Sequence, residues 1–226
     1  MSKIKFSTIL KTLTVLSAFV GVTLSMRYAI ADGYSHWSKR LLYFTAQSNL
    51  WTGFTFLAVL SFSVRKHKKA STQRFLYLLK YIFTVSITVT GVFYCGFLGP
   101  FSDASYRPWS FSSILTHACT PLFAILDFFI DDYKIKLQRK EILYTALPPL
   151  FYTLFSALLF FLQTDFGRGV NYPYFFMNYR SPVGLFGFSK QLPFFMGTFY
   201  WLIILTAFVL GIAFLYAKLN KKKKTA

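Results

Sequence analysis

Six long apolar blocks run along this 226-residue chain, at about Thr8–Ile30, Leu41–Val64, Phe75–Leu98, Ser113–Ile130, Ile142–Gln163 and Pro193–Tyr216. Each is near the roughly 20 residues with which an α-helix crosses a ~30 Å hydrocarbon layer. The pattern predicts an all-α polytopic membrane protein, a bundle of six transmembrane helices forming one domain over residues 1–226. No linker, repeat or low-complexity segment sets off a second domain, and no gap before residue 164 is long enough to fold alone. The last gap, "TDFGRGVNYPYFFMNYRSPVGLFGFSKQL", is rich in aromatics, glycine and proline, and is expected to lie at the interface as a rim or lid. The first block ends in "AIA", which looks like a leader-peptide cleavage box. Its apolar run exceeds the usual ~7–15 residues of a leader and Arg27 precedes the cut, so it reads as a retained span.

The second block is not uniformly apolar. Its opening, "LLYFTAQSNLWTGF", carries Thr45, Gln47, Ser48, Asn49 and Thr52. Thr45, Ser48, Asn49 and Thr52 follow the spacing of one helical face. In hydrocarbon such a stripe turns inward, either as hydrogen-bonding glue between helices or toward a polar cavity.

Charge sharpens the picture. The chain is 55% hydrophobic and 21% aromatic, with a net charge of +18. In a soluble protein that charge would point to nucleic acid. Here the basic residues fall in the gaps between blocks, so they report topology and no nucleic-acid partner is expected. Seventeen Lys and Arg lie in the N-terminal tail, the second and fourth gaps and the "KLNKKKK" tail, against six in the other three gaps. By the positive-inside rule both termini are expected in the cytoplasm, with the "KKKK" run a solvated anchor near anionic lipid. Cys95 and Cys119 lie near the outer ends of their blocks, where unpaired packing thiols are favoured over a disulfide.

The fourth block, "SILTHACTPLFAILDFF", holds His117, the one histidine inside a block. Thr45 and His117 each lie about four residues below the outer end of a predicted span, roughly 6 Å deep at ~1.5 Å per residue. A hydroxyl and an imidazole at equal depth are what a nucleophile and its general base require. Pro121 lacks the N–H that would bond the carbonyl of residue 117, so that carbonyl is expected to be free and the helix bent there. The plainer reading is a proline kink beside a hydrogen-bonded histidine. Thr120 shares a face with His117 and Cys119 points away from it, so neither is the favoured nucleophile.

At these residues the chain resembles a known family. "YFTAQSNL", "HACTPLFAILDF" and "NYPYFF" are similar to the androgen-induced-gene and androgen-dependent tissue-factor-pathway-inhibitor-regulating proteins. The bacterial branch of that superfamily, the Pr6Pr membrane proteins, looks closer still. The resemblance implies an intramembrane threonine hydrolase of the bacterial plasma membrane. Animal members cleave fatty acid esters of hydroxy fatty acids with a Thr nucleophile and a His, which correspond to Thr45 and His117. Asp127, Tyr172 and Pro173 match the pattern without an implied role. The loops and the residues flanking both motifs differ from the animal pattern, so the chemistry is implied rather than the ester.

The expected mechanism is ester hydrolysis by a Thr45–His117 dyad through an acyl-enzyme, acting on lipid or fatty esters from the bilayer. Asn49, then Ser48, are the side chains favoured to stabilise the oxyanion or orient the dyad. No triad carboxylate is expected. Asp127 sits near the cytoplasmic end of its span, and Asp165 and Asp103 lie in outer gaps. One histidine without neighbouring carboxylates does not make a metal site, so neither metal nor cofactor is expected. The alternatives are a small-molecule transporter, for which Lys80 and Arg27 would matter, and a non-catalytic membrane scaffold. Lys80 and Arg27 can instead snorkel to opposite interfaces, and the second block is almost wholly apolar after Thr55. The apolar second block implies a cavity open on one side and closed below, which favours an enzyme.

Overall fold

The computed structural model describes residues 3–63, 69–99, 109–167, 169–190 and 195–220. His67, Asp103, Arg107, Arg168, Pro193 and the "KKKK" run lie outside the described residues. The described chain is helical, with a lone antiparallel bridge between Phe188 and Met196. The long helices are α1 (Lys3–Arg27), α2 (Phe44–Ser63), α3 (Ala70–Phe93), α4 (Phe111–Ile130), α5 (Arg139–Phe161) and α6 (Thr198–Leu219). A 3₁₀ turn at Trp37–Leu42 leads into α2, and a wide π turn at Tyr94–Leu98 prolongs α3.

All of these except α2 are long and apolar enough to cross a membrane. The shortfall of α2 lies in its first turns, where the polar stripe sits and is buried: Ser48, Asn49 and Thr52 are fully enclosed. Central α3 is largely buried and packs on α2, α4 and α6, whereas α6 is largely uncovered and presents Ile203, Ile204 and Phe214 outward. A cluster of Tyr77, Tyr81, Val85, Phe128, Val209 and Tyr216 fills the space between α3, α4 and α6. A second, built from Tyr152, Phe176, Met177 and Trp201, docks the last loop onto α5 and α6.

One sequence expectation needs correction. Lys80 does not snorkel to an interface. It is 2% exposed and pairs with Asp127 and, at 2.6 Å, with Asp131. Lys11 joins the same network, 2.8 Å from Asp127 and 3.0 Å from Asp131, while Ser7 donates to Asp127 at 2.6 Å. Two cations and two anions thus cancel where α1, α3 and α4 meet. Lys11, inside α1, is thereby neutralised within the bundle. At Asp131, just past α4, burial alone would raise the carboxyl pKa. Lys80 and Lys11 outweigh it and hold the pKa at about 2. Arg27, by contrast, is exposed at the last turn of α1.

Candidate functional site

Thr45 is the second residue of α2, and His117 lies in a π turn, Leu115–Cys119, inside α4. The turn has a local cause. Pro121 cannot donate to the His117 carbonyl, and the Thr120 N–H reaches back to Leu115 instead, widening the helix by one residue. The freed His117 carbonyl accepts a weak bond from Cys95 Sγ at 3.8 Å. Cys95 and Cys119 are both free thiols.

The two side chains meet. Thr45 Oγ1 lies 3.3 Å from His117 Nε2. The other ring nitrogen, Nδ1, is 3.1 Å from the Ser113 carbonyl and 3.1 Å from Thr116 Oγ1. A carbonyl only accepts, so Nδ1 carries the proton and Nε2 presents its lone pair to Thr45. Tyr94 stacks on the imidazole at 3.5 Å with the rings 16° apart, which fixes the ring plane. The two adjoining helices come close because glycines face the turn. A Cβ on Gly91 of α3 would meet the His117 carbonyl oxygen at 2.9 Å, and one on Gly21 of α1 would meet the Thr116 methyl at 2.7 Å.

Asn49 and Ser48 are near but differently engaged. Asn49 Nδ2 donates to the Thr45 carbonyl at 2.8 Å and the Thr116 carbonyl at 3.1 Å, so it ties α2 to α4 behind the dyad. Ser48 bonds the Thr45 carbonyl and Thr90 Oγ1, at 3.2 and 2.9 Å. Both brace Thr45 from below, and both Asn49 N–H groups are already in use. Thr120 donates to Ser17 at 3.0 Å and to the Leu115 carbonyl at 2.9 Å, a packing role. Asp127 belongs to the ion network at the far end of α4. Asp165 folds its own loop. Burial alone would raise its carboxyl pKa, but the Gly167 and Gly169 N–H groups, Ser35 and Lys39 together bring it below the ordinary carboxylate range.

Beside Thr45 opens an apolar cavity of about 230 Å³, lined by Thr45 but not by His117. Thr45 and Phe44 stand at one end, with Thr90, Phe93 and Tyr94 of α3 beside them. Pro149, Leu150 and Thr153 of α5 and Leu202, Leu205 and Val209 of α6 form the flanks. Contact between α5 and α6 is concentrated on Arg139–Ala146, and the helices part beyond it, so the cavity is a cleft between them. Tyr174, Phe176 and Met177 of the last loop complete its lining.

No family model, curated protein or solved structure matches this chain. The chemistry therefore rests on the geometry itself, and several participants carry no signal in the sequence. Ser113 acts through its carbonyl, which no side-chain pattern displays. Tyr94 had no signal beyond being one of fifteen tyrosines. Tyr174 sits in "NYPYFF", yet that motif drew notice to Tyr172 and Pro173. It is Tyr174 that lines the same cavity as Thr45.

Proposed function

We propose that this protein is an intramembrane threonine hydrolase of lipid acyl esters, a six-span bundle with both termini cytoplasmic, as in the superfamily its motifs resemble. The bacterial plasma membrane is its proposed location. One observation carries the reading: a threonine hydroxyl on the lone pair of a histidine whose other nitrogen is committed to a backbone carbonyl.

Thr45 Oγ1 adds to the ester carbonyl carbon as its proton passes to His117 Nε2, and the carbonyl π pair moves onto oxygen. The tetrahedral oxyanion collapses, and the leaving alkoxide takes the proton from His117. Water repeats the sequence on the acyl-Thr45 ester, releasing the acid and restoring the hydroxyl. The acyl chain lies in the apolar cleft between α5 and α6. The ion network supports an enzyme over a transporter, since Lys80 is locked by two carboxylates rather than lining a path.

The test is labelling with a fluorophosphonate and turnover of a panel of lipid esters by wild type, Thr45→Ala and His117→Ala. The label is expected on the Thr45 peptide, with turnover lost in Thr45→Ala and reduced ~10²–10⁴-fold in His117→Ala. Labelling and turnover that persist in Thr45→Ala reject the nucleophile, and full activity of His117→Ala rejects the base.

A further inference from the structure

Attack by Thr45 leaves its proton on His117 Nε2, so the imidazole is a cation for the lifetime of the tetrahedral intermediate. Among the described residues no carboxylate bonds either ring nitrogen: Nε2 meets Thr45, and Nδ1 meets the Ser113 carbonyl and Thr116 Oγ1. What covers the ring is Tyr94, the first residue of the π turn that prolongs α3. The two ring centroids are 3.5 Å apart and their planes differ by 16°. That separation is itself about one carbon–carbon contact, so the rings have almost no lateral offset. Neutral aromatic rings avoid such a sandwich, because each turns a negative π face to the other, and they settle offset or edge-on with centroids ~4.5–7 Å apart. A cation over a tyrosine face reverses the sign, and the quadrupole attracts it. The stack is therefore better suited to imidazolium than to imidazole. Tyr94 is 4% exposed and His117 8%, so little water screens the interaction.

On the reading of Thr45 and His117 as a hydrolytic dyad, we propose that Tyr94 is a positioning residue of the reaction, its ring face stabilising the His117 imidazolium that forms as Thr45 attacks. The surroundings hold the stack in place. Gly91, one turn before Tyr94, lets α3 approach so closely that an added Cβ would stand 2.9 Å from the His117 carbonyl oxygen. The Tyr94 hydroxyl donates to Ser113 Oγ over a long 3.4 Å, so the stacked ring leans on the residue whose carbonyl fixes the tautomer. Trp109 meets the Tyr94 ring edge-on, with centroids 6.3 Å apart and planes at 83°. The attraction appears only when the proton arrives on His117. It therefore lowers the barrier without tightening the ester in the ground state, and its loss falls on kcat rather than KM. Because Tyr94 also lines the cavity beside Thr45, a change in packing alone would instead show in KM.

Ring electrostatics can be changed with little change of shape. Wild type, Tyr94→Leu, Tyr94→Phe and the mono-, di- and trifluorinated ring forms of Tyr94→Phe, introduced by codon suppression, are compared in nanodiscs. The readouts are kcat and KM for a fatty 4-nitrophenyl ester and the rate of fluorophosphonate labelling at Thr45, with thermal unfolding of each sample. Tyr94→Phe keeps a negative face over His117 and should hold kcat within two-fold. Each added fluorine draws density from that face, so kcat and the labelling rate should fall stepwise, to about ten-fold below Tyr94→Phe in the trifluorinated form. KM and the unfolding midpoint should stay level along the fluorinated series. A series flat within two-fold, or one that rises, overturns the proposal even where Tyr94→Leu is slow or fails to fold. Tyr94→Phe as slow as the trifluorinated form assigns the effect to the hydroxyl and overturns it too. Turnover that survives Thr45→Ala or is full in His117→Ala rejects the dyad; a flat series in a protein whose turnover needs both residues rejects Tyr94 alone.

Discussion

Gly91→Ala changes one hydrogen to a methyl, yet it bears directly on the Thr45–His117 pair. The new Cβ would stand 2.9 Å from the His117 carbonyl oxygen and 2.9 Å from Pro121 Cγ, where ordinary contact begins at 3.4 Å. Neither neighbour is the free end of a flexible side chain, so the π turn of α4 has to retreat by about 0.5 Å (3.4 minus 2.9). The Thr45–His117 contact is 3.3 Å, close to the outer limit of a hydrogen bond. Displacements of ~1 Å in a reacting pair cost on the order of 10²-fold in rate, so about ten-fold in kcat/KM is expected. The overpacking itself should lower stability by ~1–3 kcal/mol. The assay is hydrolysis of a fatty 4-nitrophenyl ester in nanodiscs, with thermal unfolding of the same samples. Gly211→Ala is the control: nothing lies within 4 Å of its added methyl, so activity should hold while α6 gains the helix propensity of alanine, up to ~1 kcal/mol. Gly91→Ala with wild-type kcat/KM and an intact fold would refute the claim that this approach positions His117.

The ion network makes the fold acid-sensitive. The Asp131 carboxyl is depressed from its ordinary value of 3.8 to about 2. Its stabilisation, ~2 kcal/mol, is therefore present above pH ~4 and lost as pH falls through 2; unfolding midpoints measured across that window should drop in wild type and stay flatter in Asp131→Asn. Removing one partner alone, as in Lys80→Met, should cost ~3–5 kcal/mol because it strands buried charge, and a shift in unfolding midpoint too small to measure would refute the pairing. In the cleft, Leu150→Trp and Leu205→Trp should cut turnover of long-chain esters at least ten-fold while sparing acetyl and butyryl esters; equal losses on both would refute the acyl assignment.

The helices were legible because lipid imposes a length that apolar blocks report directly, and the pairing of Thr45 with His117 was legible because two helices starting at one interface carry depth in their numbering. What sequence could not show is contact between remote positions. Lys11 and Asp127 are 116 residues apart, and an unpaired lysine in a first span gives no sign that it is neutralised. Asn49 lies on the expected face but plays a different part. Its position on the stripe indicated nearness to Thr45, while the direction of its amide depends on how close the Thr116 carbonyl comes. Tyr174 was hidden by the freedom of the loop, since "NYPYFF" fixes no register against α2.

On the proposed hydrolase reading, a dyad rather than a triad suits this setting. A carboxylate behind His117 would be an ion at a depth where burial costs several kcal/mol unless it is paired. The Ser113 carbonyl selects the same tautomer without charge. It does so at a sacrifice, because a carbonyl dipole steadies the imidazolium formed during attack less than a carboxylate would. Beyond what the Tyr94 ring face is proposed to supply, the compensating interaction then has to come from the other charge created in the same step, the oxyanion. The weaker the support behind the base, the more the rate depends on N–H donors in front of the nucleophile.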